Sequence, residues 1–141
     1  MPTKTTTREL LITDYDQVWA LWREAEGVEI CEGDSKEEIA GYLVRNPALS
    51  RVAEIEGRIV GAVLCGHDGR RGLLYHLVVA AAFRGEGVGK LLVNDCIRGL
   101  RGAGIARAII LVADDNAAGR EFWLKNGWEN IEGAVPMARD V

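Results

Sequence analysis

The feature that most constrains this chain is a junction. Residues 73–79 form a nearly continuous apolar run, the pattern of a central strand buried on both faces of a sheet. A short leader, Ala80-Ala81-Ala82-Phe83, carries it into Arg84-Gly85-Glu86-Gly87-Val88-Gly89-Lys90. From residue 87 to 101, Val88, Leu91, Leu92 and Leu100 recur at helical spacing, and Gly102 and Gly104 end the helix. A further apolar strand reads over residues 108–113. Strand, glycine turn, helix and strand make a right-handed crossover, so part of the sheet is parallel.

The rest of the chain supplies the antiparallel part. Residues 8–12 read as a first strand. Asp14 three before Gln17 suggests a capping box for a helix with Val18, Leu21, Trp22 and Ala25 on one face. Ser35 and Glu38 repeat the signal before Ile39, Tyr42 and Leu43, and Asn46-Pro47 stops that helix. Residues 50–55 and 58–66 form a hairpin about Glu56-Gly57, and a second turn at His67-Asp68-Gly69 leads back to residue 73. A last helix is expected from about 116 to 126, capped by Gly127, with short strands at 128–131 and 135–139 divided by Gly133. The predicted order is β α α β β β α β α β β, an α/β fold with a mixed central sheet.

Composition sets the boundaries. At 141 residues and 48% hydrophobic, the chain reads as a single domain, 1–141, able to bury its own core. Cys31, Cys65 and Cys96 are odd in number and form no C-x-x-C pair, which argues against a disulfide framework or a metal site. A net charge of −4 and a pI near 5.2 disfavour nucleic acid as a partner. The start of the chain lacks the apolar core of a leader, and no apolar run reaches the roughly 20 residues of a membrane span. A cytoplasmic setting is expected.

The glycine turn is where chemistry enters. Glycines at the head of a helix let backbone N–H groups converge on an anion, and the helix dipole adds to them. The pattern is not a Walker A loop, because Arg84 stands where its first glycine belongs and Leu91 where Ser or Thr should follow the lysine. Nor is it a dinucleotide fingerprint, because Lys90 replaces the third glycine.

What fits is [Arg/Gln]-x-x-Gly-x-[Gly/Ala], at residues 84–89, together with a second block from Asn116-Ala117-Ala118 through Phe122-Trp123-Leu124-Lys125-Asn126-Gly127-Trp128. With both blocks in order, the sequence resembles the GNAT superfamily of N-acetyltransferases over essentially its whole length, nearest to small bacterial YpeA-like members. The resemblance implies a GNAT fold, acetyl-CoA as co-substrate and a primary amine, on a small molecule or a peptide, as acceptor. It implies that backbone groups of Leu77, Val78 and Val79 bind the pantetheine. Gly85, Glu86, Gly87, Val88, Gly89 and Lys90 would hold the pyrophosphate, with Arg84 bordering it and Asn116 touching the pantetheine. A homodimer is implied by resemblance alone.

The catalytic groups are less plain. Trp123 stands where the family often has a tyrosine that protonates the departing thiolate; indole has no such proton, and Trp123 is expected as an aromatic wall near the sulfur. The family carboxylate would fall near Leu111, where nothing is acidic. His76 is the candidate base, with Tyr75 on the opposite strand face by the period-2 rule as a second candidate. Trp19 and Trp22 are candidate substrate walls beside an acidic stretch, Glu24 to Glu38, that would attract a cationic amine or simply form a solvated helix face. Arg70 and Arg71 could pair with a substrate carboxylate or merely solubilise a loop. Two functions are open: an acetyl-CoA-dependent N-acetyltransferase, or an acyl-CoA-binding or sensing module of the same fold that has lost turnover.

Overall fold

Four strands of the sheet pair antiparallel in chain order, the first two joined through two helices, and the fifth returns parallel after a crossover through a single helix. The computed structural model describes residues 4–25 and 27–141. In order the elements are β1 (Thr6–Glu9), α1 (Tyr15–Glu24), α2 (Lys36–Arg45), β2 (Arg51–Ile55), β3 (Arg58–His67), β4 (Gly72–Val79), α3 (Val88–Gly102), β5 (Ala108–Ile109) and α4 (Ala117–Lys125). Two units are distinguished, one up to Leu111 and one from Val112 onward. Among the described residues no helix is long and apolar enough to cross a membrane.

In the first unit the sheet order is β1-β2-β3-β4-β5, with helices on both faces. The α1 and α2 side is a core of Leu10, Val18, Trp22 and Ile39 against Val52, Ile59, Ala62, Leu64 and Val78. On the other side α3 buries Val88, Leu92, Val93, Cys96 and Leu100. A Cβ on Gly61 would come within 3.1 Å of Leu92 and Val88, and one on Gly72 within 2.6 Å of Leu100, so both glycines let α3 lie close to the sheet. The β2–β3 hairpin turns at Glu56 and Gly57, both with positive φ, as a two-residue turn of matched twist requires. Between β3 and β4, Asp68 Oδ1 accepts from the backbone N–H of Arg70 and Arg71, so Asp68 shapes the loop that carries both arginines.

Helix ends follow local chemistry. Ser35 Oγ accepts from Glu38 N–H, and the Glu38 carboxylate accepts from Ser35 N–H, completing the expected capping box. Past α3, Gly104 has φ +81, Ile105 N–H reaches Leu100 O and Gly104 N–H reaches Arg101 O, the paired bonds of a glycine-terminated helix. In the second unit Asn116 Oδ1 caps α4 at Gly119 N–H, and Gly127 closes the helix with the same pair of bonds.

Five sequence expectations are corrected. The first strand is Thr6–Glu9, not 8–12, because Ile12–Asp14 turns as a short 3-10 helix. Asp14 does not cap α1; its carboxylate is taken by the Arg8 guanidinium and Leu11 N–H. The buried central strand is β3, with eight interior residues in succession, whereas β4 alternates between buried and partly exposed positions. The strand expected over 108–113 is two residues long, and Leu111 is 67% exposed. The strands expected at 128–131 and 135–139 are not formed. Their short patterns lacked a partner ladder, without which an isolated strand has no stability.

Candidate active site

Where β4 leaves β5 its outer edge opens. The two strands pair only at Gly72↔Ala108 and Leu73↔Ile109, so among the described residues the rest of β4, including Leu77, Val78 and Val79, carries no ladder on that side. On the inner side Ala62 pairs with Val78 and Leu64 with Tyr75, so two residues of β4, His76 and Leu77, face one residue of β3. This is a β-bulge. His76 takes up the excess in the left-handed region, at φ +51, a strained conformation for a residue with a side chain.

The bulge overturns the period-2 expectation for Tyr75. Tyr75 lies opposite Leu64 on the α1 side, and His76 packs on Trp22 of α1, so both residues occupy one face. Tyr75 is 38% exposed there. The His76 ring meets the Trp22 indole edge-on, with centroids 4.9 Å apart. Its Nε2 lies 2.8 Å from Asp34 Oδ2, a contact between residues 42 apart in sequence.

Asp34 is the residue that sequence reasoning missed as an individual, counting it only among many acids. It is 7% exposed, unlike the solvated glutamates around it. Its only sequence signal is its place immediately before the Ser35 cap, where the loop from α1 must be fixed. Its negative charge reaches its neighbours: burial first, then Asp34 with Asp16 and Glu38, raises the Tyr15 hydroxyl pKa. Burial followed by Asp34, Glu32 and Glu29 raises the Cys31 thiol.

At the other end of β4 the glycine turn has the geometry of an anion cradle. Arg84 Nε donates to Val79 O at 3.0 Å, tying the turn to the strand end. Gly85 and Gly87 have φ +79 and +85, and a Cβ on either would meet no atom within 4 Å, so the backbone stands open to an approaching group. Gly87 is the N-cap of α3. The N–H groups of Val88, Gly89 and Lys90 are therefore first-turn donors, and no acid lies in that turn to compete with an anion.

Residues 11–128 match the sequence profile of the Acetyltransferase (GNAT) family. The chain belongs to the GNAT family. An acetyltransferase of Pectobacterium atrosepticum is 32% identical over 119 residues, covering 84% of each chain. The fold of GNAT enzymes is seen again in the PaiA N-acetyltransferase of Thermoplasma acidophilum in complex with coenzyme A. That structure superimposes with TM-score 0.78 at 21% identity, over 89% of this chain and 90% of that one. An aminoglycoside acetyltransferase, AAC(6')-Iy, in complex with a bisubstrate analogue gives TM-score 0.76 at 17% identity, over 99% and 100%.

The remaining GNAT candidates divide between the two units. Trp22 is 1% exposed and belongs to the core beneath His76, not to a surface that a substrate could touch. Trp19 is partly buried on the same helix with Arg23 stacked 4.8 Å from its ring. In the second unit Trp123 packs between Phe122 and Trp128, at 5.2 and 5.0 Å between centroids, and Asn116 serves α4 as its cap.

Proposed function

We propose that this GNAT protein is an N-acetyltransferase that moves the acetyl group of acetyl-CoA to a primary amine by direct attack in a ternary complex. The observation that carries the reading is the open glycine turn at the head of α3, reached from a strand whose outer edge, among the described residues, carries no ladder beyond Leu73. A pyrophosphate bound there would accept from the N–H groups of Gly85 to Lys90, with Lys90 and Arg84 adding positive charge. The free edge of β4 would offer its backbone groups to the amides of the pantetheine arm and hold the thioester against the bulge.

His76 is the proton acceptor in this reading. The amine nitrogen attacks the thioester carbonyl carbon, the C–N bond forms and the C–S bond breaks with its electron pair on sulfur. The proton lost from nitrogen passes to the imidazole and from there to sulfur or solvent, so protons balance without an acid at Trp123. A thiol, which ordinarily titrates at about 8.5, is a tolerable leaving group unaided. The relatives lend support, since curated homologues are named acetyltransferases and AAC(6')-Iy is known in complex with the bisubstrate analogue CoA-S-monomethyl-acetylneamine.

Calorimetric titration with acetyl-CoA, with NAD and ATP as controls, tests the cofactor. A panel of primary amines and peptides read by CoA release then tests turnover. Saturable binding of acetyl-CoA alone, with amine-dependent CoA release, is expected. Equal binding of CoA and acetyl-CoA with no product from any amine would favour a sensing module, and no binding by folded protein would remove the assignment of the turn.

A further inference from the structure

We propose that Asp34 is the positioning residue of this site. It fixes His76 in the tautomer protonated at Nε2 and so leaves Nδ1 as the atom that takes the acceptor's proton. The inference rests on the reading of His76 as proton acceptor. A carboxylate can only accept, so the 2.8 Å contact between Asp34 Oδ2 and His76 Nε2 requires the hydrogen to sit on Nε2 of the neutral ring. The lone pair then belongs to Nδ1. When Nδ1 is protonated the ring becomes a cation against the carboxylate, so Asp34 also stabilises the state that forms as the proton moves.

Asp34 is built to stay where it is. Its Oδ2 also accepts from Cys31 N–H at 3.1 Å and from the Cys31 thiol at 3.8 Å. Its own N–H donates to Cys31 O at 3.2 Å, and its carbonyl accepts from Tyr15 Oη at 2.6 Å, which ties the loop to α1. The next residue is the α2 cap, and Glu38 binds both Ser35 N–H and Gly33 N–H, at 3.3 and 3.1 Å. The loop that carries the carboxylate is thus held from both helices, while Trp22 packs edge-on against the imidazole. The imidazole itself retains 15% exposure, enough to leave it in reach of a ligand.

The first test needs no acceptor. Nitrogen-15 NMR of the intact protein, at about pH 9 where ordinary imidazoles are neutral, should show His76 protonated at Nε2. Asp34→Asn should populate both tautomers, while Asp34→Glu should keep the wild-type pattern. A wild-type His76 protonated at Nδ1, or a spectrum that Asp34→Asn leaves unchanged, overturns the proposal. The second test follows CoA release from n-butylamine with acetyl-CoA varied up to saturation. His76→Ala should lower kcat on the order of 100-fold and Asp34→Asn about tenfold or more, with KM for acetyl-CoA unchanged and the double variant no slower than His76→Ala alone. Full activity in His76→Ala would sink the proton-acceptor reading itself. Loss in His76→Ala with none in Asp34→Asn would sink only the role given to Asp34. Should n-butylamine not be acetylated, the tautomer experiment alone decides the role of Asp34.

Discussion

Gly87→Ala separates a ligand-binding turn from a turn that is merely tight. In this variant the new Cβ meets no protein atom within 4 Å, so packing contributes nothing. What remains is the backbone: φ is +85, and an L-residue held there loses about 1–2 kcal/mol. The reduced freedom of the unfolded chain returns about half a kcal/mol, so the net cost is about 1 kcal/mol, or about 3 °C in Tm for a chain of this size.

Gly57→Ala is the matched control. Gly57 has φ +75, also meets nothing within 4 Å, and lies in the β2–β3 hairpin. The two variants should lose equal stability. Only Gly87→Ala should lose acetyl-CoA. A bond from N–H to a charged phosphate oxygen contributes about 1.5–3 kcal/mol, so displacing the pyrophosphate from one such donor weakens binding about 10- to 100-fold. Calorimetry reads the affinity and thermal denaturation reads the backbone cost. Unchanged affinity in Gly87→Ala, alongside a Tm loss equal to that of Gly57→Ala, would refute the pyrophosphate assignment.

Three further outcomes follow from buried polar groups. Among the described residues Tyr42 Oη is buried without a hydrogen-bond partner, and a Cβ on Gly66 would lie 2.6 Å from it. Tyr42→Phe should therefore be neutral or stabilise by about 1 kcal/mol, whereas Gly66→Ala alone should cost about 1–3 kcal/mol in urea denaturation and less when combined with Tyr42→Phe. Arg8 holds the Asp14 carboxyl below the usual carboxylate range, so Arg8→Gln should cost about 1–3 kcal/mol near neutral pH. Because the folded pKa of Asp14 is depressed, that difference should be fully present above about pH 5 and shrink as pH falls through the carboxylate range. Of the three thiols, exposed Cys31 alone should react with a disulfide reagent in folded protein, more slowly than a free thiol and faster on adding salt, while buried Cys65 and Cys96 should react only on unfolding.

Local chemistry was the legible part of this fold. The Ser35–Glu38 box, the Glu56-Gly57 turn and the terminal glycines at 104 and 127 each depend on residues within a few positions, and each formed as read. The glycine turn was legible for the same reason, since strand, turn and helix are contiguous. Long-range facts were not. Arg8 draws Asp14 away from the α1 cap, a competition invisible to a pattern that sees only Asp14 and Gln17. The terminal strands had acceptable alternation, but strands exist only as pairs and their partner edge is a property of the whole sheet.

The two least legible facts meet at one side chain. Nothing in Tyr75-His76-Leu77 announces a bulge, since the residue forced into the left-handed region is neither Gly nor Asn, and in the acidic loop only its place before the Ser35 cap separates Asp34 from its neighbours. Both carry local costs. A non-glycine residue at φ +51 stores about 1–3 kcal/mol, and a carboxylate at 7% exposure must be desolvated, a burden that an apolar pair of similar size would avoid. A histidine kept only to fill space would need neither cost: asparagine or glycine relieves the backbone, and an apolar residue at 34 relieves the burial. Places where a chain breaks its own local rules, with the cost met by surrounding structure, are where function is expected. Here the breaks converge on a single imidazole, bonded by Asp34 and packed against Trp22.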